Sequence, residues 1–202
     1  MKIVVFGALE GNMDAMDAAV RATSGLGPAL LLQAGGLFGA PETASALADR
    51  LRTSGMLCVQ GPVERLVAGR RFTAKGGDMA ARAAAVHATL NTAQVEWLNA
   101  LRWKRRCDAG GLGIVLCHGS VTTRNEVLEA GAPEPRLRRQ REAEAFDLAV
   151  CGGGAEPYAR FVDGALFIGP GRLADGDGSA WVTVVDTGRS PWQVERTACK
   201  IG

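Results

Sequence analysis

A chain of 202 residues with 47% hydrophobic content carries enough apolar material for the core of one α/β domain, and a single domain over residues 1–202 is the expectation. A formal net charge of +2 and a charged fraction of 22% exclude any argument for general polyanion binding from composition alone. The longest apolar runs, such as 29–32 and 113–117, fall well short of the about 20 residues that a membrane-spanning helix needs, so no membrane partner is expected. The five cysteines, Cys58, Cys107, Cys117, Cys151 and Cys199, are widely spaced and contain no Cys-x-x-Cys pair. With a strand rather than a secretion signal at the start, a cytoplasmic protein with reduced thiols is expected.

The apolar run Lys2-Ile3-Val4-Val5-Phe6 leads into the turn Gly7-Ala8-Leu9-Glu10-Gly11-Asn12 and a helical pattern over 13–20. In α/β proteins the carboxyl end of such a strand is where chemistry is placed, here at Ala8 and Glu10. Residues 29–33 read as a second buried strand, followed by the glycine-rich loop 34–41 and a helix over 42–53. A third short strand over 56–60 ends at Gly61-Pro62, giving the order βαβαβ. After a break at Lys75-Gly76-Gly77, residues 80–90 are helical, and Thr92 is a suitable N-cap for a further helix.

The strand 113–117 runs into His118-Gly119-Ser120, and the strand 147–151 into Gly152-Gly153-Gly154. Between them a helix over 134–145 carries Arg136, Arg138, Arg139 and Arg141, with Glu142 and Glu144 as the expected counter-charges. From Tyr158 onward the pattern changes to hairpins, with strands over 159–162, 165–168 and 180–185, the last after Asp175-Gly176-Asp177-Gly178. Residues 194–197 are expected to close a second, antiparallel-rich sheet. The basic cluster Arg102-Trp103-Lys104-Arg105-Arg106 lacks the spaced aromatics of a nucleic-acid surface and reads as a solvated helix end. No nucleic-acid partner is expected.

The order of the Gly11-Asn12 turn, the Gly39-Ala40-Pro41 loop, Val95-Glu96-Trp97-Leu98, His118-Gly119-Ser120 and Gly169-Pro170-Gly171 resembles the calcineurin-like metallophosphoesterase superfamily, in its small bacterial phosphodiesterase branch. The resemblance covers nearly the whole chain. It implies an α/β fold with a two-sheet β-sandwich flanked by helices, in four layers α/β/β/α. It also implies where two metal ions would be held. The family's Asp-x-His-Gly-Asn loop places its two ligands on Ala8 and Glu10, and its Gly-Asp pair falls on Ala34-Gly35. The Gly-Asn-His loop falls on Gly61-Pro62-Val63, with Glu64 following, and the Gly-His-Thr-His loop on Gly152-Gly153-Gly154-Ala155. The closing Asn-Pro-Gly-Ser loop becomes Gly169-Pro170-Gly171-Arg172, and His118 alone stands at a family ligand position.

Two divalent ions that clamp the attacking and leaving oxygens of a phosphoester need several hard or imidazole donors each. The expectation is therefore a catalytically degenerate phosphoesterase fold with no cofactor, no divalent metal beyond a weak single-ion site, and no assigned catalytic residue. Its function would be as a protein-binding or scaffold module, since some members of the superfamily that lose the site work through protein contacts.

Glu10, Glu64, His118 and Cys151 are the residues of the vestigial cleft. An alternative is repurposed metal-independent or single-metal chemistry among these four, with Cys151 the better-placed nucleophile beside His118. The plainer expectations are a hydrogen-bonded His118 and solvent-exposed Glu10 and Glu64. A second alternative is a sensor of a small phosphorylated ligand, bound by Asn12, Gly35, Gly36, Gly153, Gly154 and Arg172 through glycine backbone N–H groups and a guanidinium.

Overall fold

The computed structural model describes residues 1–70, 72–73, 77–174 and 176–201. The expected break at Lys75-Gly76 and the first residue of the turn at Asp175 lie outside the described residues.

Two five-stranded sheets stack face to face among the described residues. The first has the order β10-β9-β1-β2-β3, made of β1 (Lys2–Phe6), β2 (Leu30–Gln33), β3 (Leu57–Cys58), β9 (Ser179–Asp186) and β10 (Gln193–Lys200). The second has the order β4-β5-β6-β8-β7, made of β4 (Lys104–Ala109), β5 (Leu112–His118), β6 (Leu148–Gly152), β7 (Tyr158–Val162) and β8 (Ala165–Gly169). The central strands β1, β5, β6 and β8 are apolar because both of their faces are covered.

Alternation sends Ile3 and Val5 toward the second sheet, where they meet Ile114, Leu116, Leu148, Val150, Leu166 and Ile168. Val4 and Phe6 point the other way. They pack beneath α1 (Met13–Ser24), α2 (Pro41–Thr53), α3 (Pro62–Gly69), α4 (Gly77–Thr89) and α5 (Thr92–Ala100). On the far side, Val115, Cys117, Ala149, Cys151 and Phe167 pack with Leu137 of α6 (Glu134–Ala143) and with Val121, Leu128 and Phe146. The expected four layers α/β/β/α are present.

Five expectations need correction. Thr92 is not the N-cap of α5 but its first residue, since the Asn91 side chain caps the helix by accepting the Gln94 N–H at 3.0 Å. Residues 193–200 do not close the second sheet: β10 pairs with β9 over Gln193↔Asp186 to Lys200↔Ser179 and edges the first. The basic cluster 102–106 is not a helix end, because residues 104–109 form edge strand β4 against β5. Gly61-Pro62 does not merely end a strand; Pro62 opens α3, where the missing N–H costs nothing and the fixed φ suits a first turn. The arginines of α6 are not answered by Glu142 and Glu144. Arg136 pairs with Glu126 at 2.6 Å, Arg138 with Glu134 and Asp163, and Glu144 turns to Lys104 at 2.7 Å and Arg106 at 3.3 Å.

Candidate functional site

The loops after β1, β2, β5, β6 and β8 gather at the carboxyl ends of their strands, and main-chain hydrogen bonds join the first of them to its neighbours. Leu9 and Glu10 donate to the Gly36 carbonyl at 2.9 and 3.0 Å, and Gly11 donates to Leu37 at 2.8 Å. Ala8 donates to Gly171 at 3.0 Å, and Leu173 donates back to Ala8 at 2.9 Å. Gln33, fully buried at the end of β2, donates from Nε2 to the Gly7 and Gly35 carbonyls and accepts the Gly35 N–H at Oε1. A buried amide that meets both of its roles in this way fixes two loops at once.

His118 ends β5 on the face that looks toward the other sheet, and is 9% exposed. Its Nδ1 lies 3.0 Å from the Ala34 carbonyl, which only accepts, so Nδ1 carries the proton and the lone pair of the neutral ring is on Nε2. Glycines surround the ring. A Cβ on Gly35 would lie 2.5 Å from Nδ1, one on Gly61 would lie 3.3 Å from Cε1, and one on Gly153 would lie 3.3 Å from Nε2. At Gly152 the main chains themselves meet, since a Cβ there would stand 1.9 Å from the Ala34 oxygen. Gly35 also has φ +84°, a region that side chains rarely adopt.

Glu64 is neither an exposed carboxylate nor a cleft ligand. It is fully buried at the third position of α3, where Oε2 accepts the Gly61 N–H at 2.8 Å. Its Oε1 accepts the N–H groups of Leu37 and Phe38 at 2.9 and 3.1 Å. Three main-chain donors hold the charge and pin the loop after β2 to the start of α3. Glu10 is exposed, at φ 48°, with Arg172 Nε 3.8 Å from its Oε1. It lines a separate depression with Ala8, Asn12 and Ala174 rather than the space beside His118.

Cys151 is not available to His118. It lies in register with Cys117 on the outer face of the second sheet, whereas His118 is in register with Gly152. The Cys117 thiol donates to Cys151 Sγ at 3.6 Å, and that bond together with complete burial pushes the Cys117 thiol well up. Asn12 is not a ligand group either, because its Oδ1 caps α1 by accepting the Ala15 N–H at 2.9 Å. The structure thus brings Gly35 and Gly153 to His118 and places Gly36 against Ala8, while Glu10, Glu64, Asn12, Cys151 and Arg172 are directed elsewhere.

The donor set does not fit the two-metal centre that the fold implies. Among the described residues no three His, Cys, Asp or Glu side chains converge where an ion could be held. Side chains grown from Gly35 or Gly152, at the positions of two of the ligand loops, would enter the imidazole or the Ala34 carbonyl.

What sequence reading missed is a cleft of about 680 Å³ beside this site. Arg65 of α3, Arg102 and Trp103 before β4, and Arg124 after β5 line it together with Gln60. A recess of about 40 Å³ with His118 in its wall shares Gln60, Arg65, Trp103 and Arg124 with that cleft. The sequence signal was the cluster at 102–106, of which only Arg102, Trp103 and Lys104 reach the cleft.

Two stacked mixed sheets, helices on both outer faces and loops gathered around a strand-terminal His-Gly pair are the calcineurin-like metallophosphoesterase fold. No protein-family model matches the chain, and no curated protein matches it in sequence. Among solved structures it is similar to a hypothetical protein from Pyrococcus horikoshii OT3, with a TM-score of 0.82 and 15% identity, over 100% of this chain and 88% of that one. A metallophosphoesterase from Sphaerobacter thermophilus follows, with a TM-score of 0.76 and 17% identity, over 100% and 89%. Vps29 from Chaetomium thermophilum aligns over 100% of both chains with a TM-score of 0.52 and 16% identity. At such identities the likeness is one of fold.

Proposed function

We propose that this chain uses the phosphoesterase fold as a binding module for another protein and does not hydrolyse phosphoesters through a two-metal centre. The observation that carries the reading is the packing around His118. Where the family places a bridging carboxylate there is Gly35, whose Cβ position runs into the imidazole, and beside it the Gly152 main chain rests on the Ala34 carbonyl. Side chains at these two positions would meet the imidazole and the Ala34 carbonyl, and the loop after β1 is hydrogen-bonded to the loops after β2 and β8. Main-chain groups already bonded to one another offer a transition state little to bind.

The test is metal content and turnover of the purified protein. Mn, Fe and Zn well below one equivalent are expected, together with hydrolysis of bis-p-nitrophenyl phosphate no faster than by the His118→Ala variant. Near-stoichiometric metal with His118-dependent turnover overturns the reading.

A further inference from the structure

The cleft beside His118 has walls rich in cations. Neither it nor its inner recess is lined by an Asp or Glu among the described residues. Arg65, Arg102 and Arg124 are exposed and have no ion-pair partner among the described residues. Elsewhere Arg50, Arg106, Arg136 and Arg138 each meet a carboxylate, and Lys104, at the rim of the same cleft, is held by Glu144 at 2.7 Å. In a chain whose net charge is only +2, three unanswered guanidiniums in one cleft are a local concentration of charge that composition hides.

We infer that this cleft docks an acidic segment of a partner protein, with one carboxylate directed into the recess at His118. The inference rests on the reading as a protein-binding module and specifies the partner's chemistry. Guanidinium groups match carboxylates two bonds at a time, and charge complementarity selects and steers the partner. The cations come from three separate elements, and the wall formed by α3 extends from Arg65 to Gly69, about 6 Å of helix. Leu66, Ala68 and Leu101 share the walls with Trp103. An extended peptide with acidic and apolar side chains uses the length and the apolar wall together, whereas a lone phosphate uses only the charge. The recess has room for a head group of a few heavy atoms, and the guanidiniums of Arg65 and Arg124 in its wall supply the donors that a carboxylate accepts from.

The experiment follows binding of fluorescein-labelled hexaglutamate by anisotropy at near-physiological salt, with labelled hexaglutamine and AMP as comparison ligands. Hexaglutamate is expected to bind the intact chain. The double variant Arg65→Gln/Arg124→Gln, made at exposed side chains, is expected to lose about tenfold or more in affinity. A control, Arg21→Gln/Arg139→Gln, removes the same charge from exposed positions outside the cleft and is expected to change binding by less than about twofold. Equal losses in both variants would mean that net charge alone acts, and would overturn the inference. So would hexaglutamate that fails to bind, or AMP that binds the cleft in its place. His118-dependent hydrolysis in the preceding test would sink the binding-module reading while leaving the cleft measurement standing, so the two failures are distinguishable.

Discussion

The Nδ1–H of His118 donates to the main-chain carbonyl of Ala34 across 3.0 Å, joining the end of a strand in one sheet to a loop of the other. Removing the ring leaves that carbonyl without its imidazole donor and opens a hole among glycines. His118→Ala is expected to lower unfolding stability by about 1–3 kcal/mol, read as a shift in the urea midpoint. A variant as stable as the parent would show that this bond is not structural.

Placing at Gly35 the carboxylate found in the metallophosphoesterase motif is expected to harm the protein. Gly35→Asp places a side chain at φ +84°, with its Cβ 2.5 Å from the His118 ring. Left-handed backbone costs about 1–3 kcal/mol before any clash is counted. The variant is expected to unfold at lower urea than the parent and to gain no Mn²⁺ in equilibrium dialysis; tight Mn²⁺ binding would contradict the packing described above.

Glu64 gives a sharper expectation. In Glu64→Gln one acceptor oxygen becomes an NH₂ group that faces either the Gly61 N–H or the pair from Leu37 and Phe38. A buried donor then opposes a donor, at a cost of about 2–4 kcal/mol. Hydrogen exchange localises the effect: the Leu37 and Phe38 amides are expected to exchange faster, while those of α6 keep their protection.

Acid sensitivity has a local source at Glu126, where the hydrogen bond from Arg136 holds the carboxyl below its ordinary range. A carboxyl lowered by folding contributes stability above its unfolded value of about 4.3 and loses it as pH falls through the folded value. The pair is partly exposed, so its contribution is below about 1 kcal/mol. Glu126→Gln is expected to be slightly less stable than the parent at neutral pH and to match it at the acid end of that window, in urea melts at both pH values. A constant gap across the window would mean that ionisation is not the cause.

Most of the layered fold was readable because β1, β2, β5, β6, β8 and β9 are apolar runs bounded by turns. The elements that escaped are those whose environment contradicts their composition. β4 reads as a charged helix end because Lys104 and Arg106 are satisfied by Glu144, about which a local pattern says nothing. β10 is polar because it is an edge, so its place in the first sheet depends on β9 rather than on its own residues. Glu64 resembled a solvated carboxylate because its three donors come from Gly61, Leu37 and Phe38, two of them distant in the chain. The loops that depart from the metallophosphoesterase motifs could be recognised one by one, but not that their glycines pack onto His118, which requires both sheets in place. The cationic cleft was hidden for a related reason, since Arg65, Arg102 and Arg124 meet only after folding.

The placement of β1 between β2 and β9 also governs the order of events in folding. Lys2 pairs with Asp186 and Phe6 with Val182, so β1 is synthesised well before β9 and waits for it before its second edge is covered. Until then an apolar strand with an open hydrogen-bonding edge is exposed to pairing with other chains. Contacts of such long sequence separation slow folding, and they make the nascent chain, rather than the finished molecule, the state most in need of protection against aggregation.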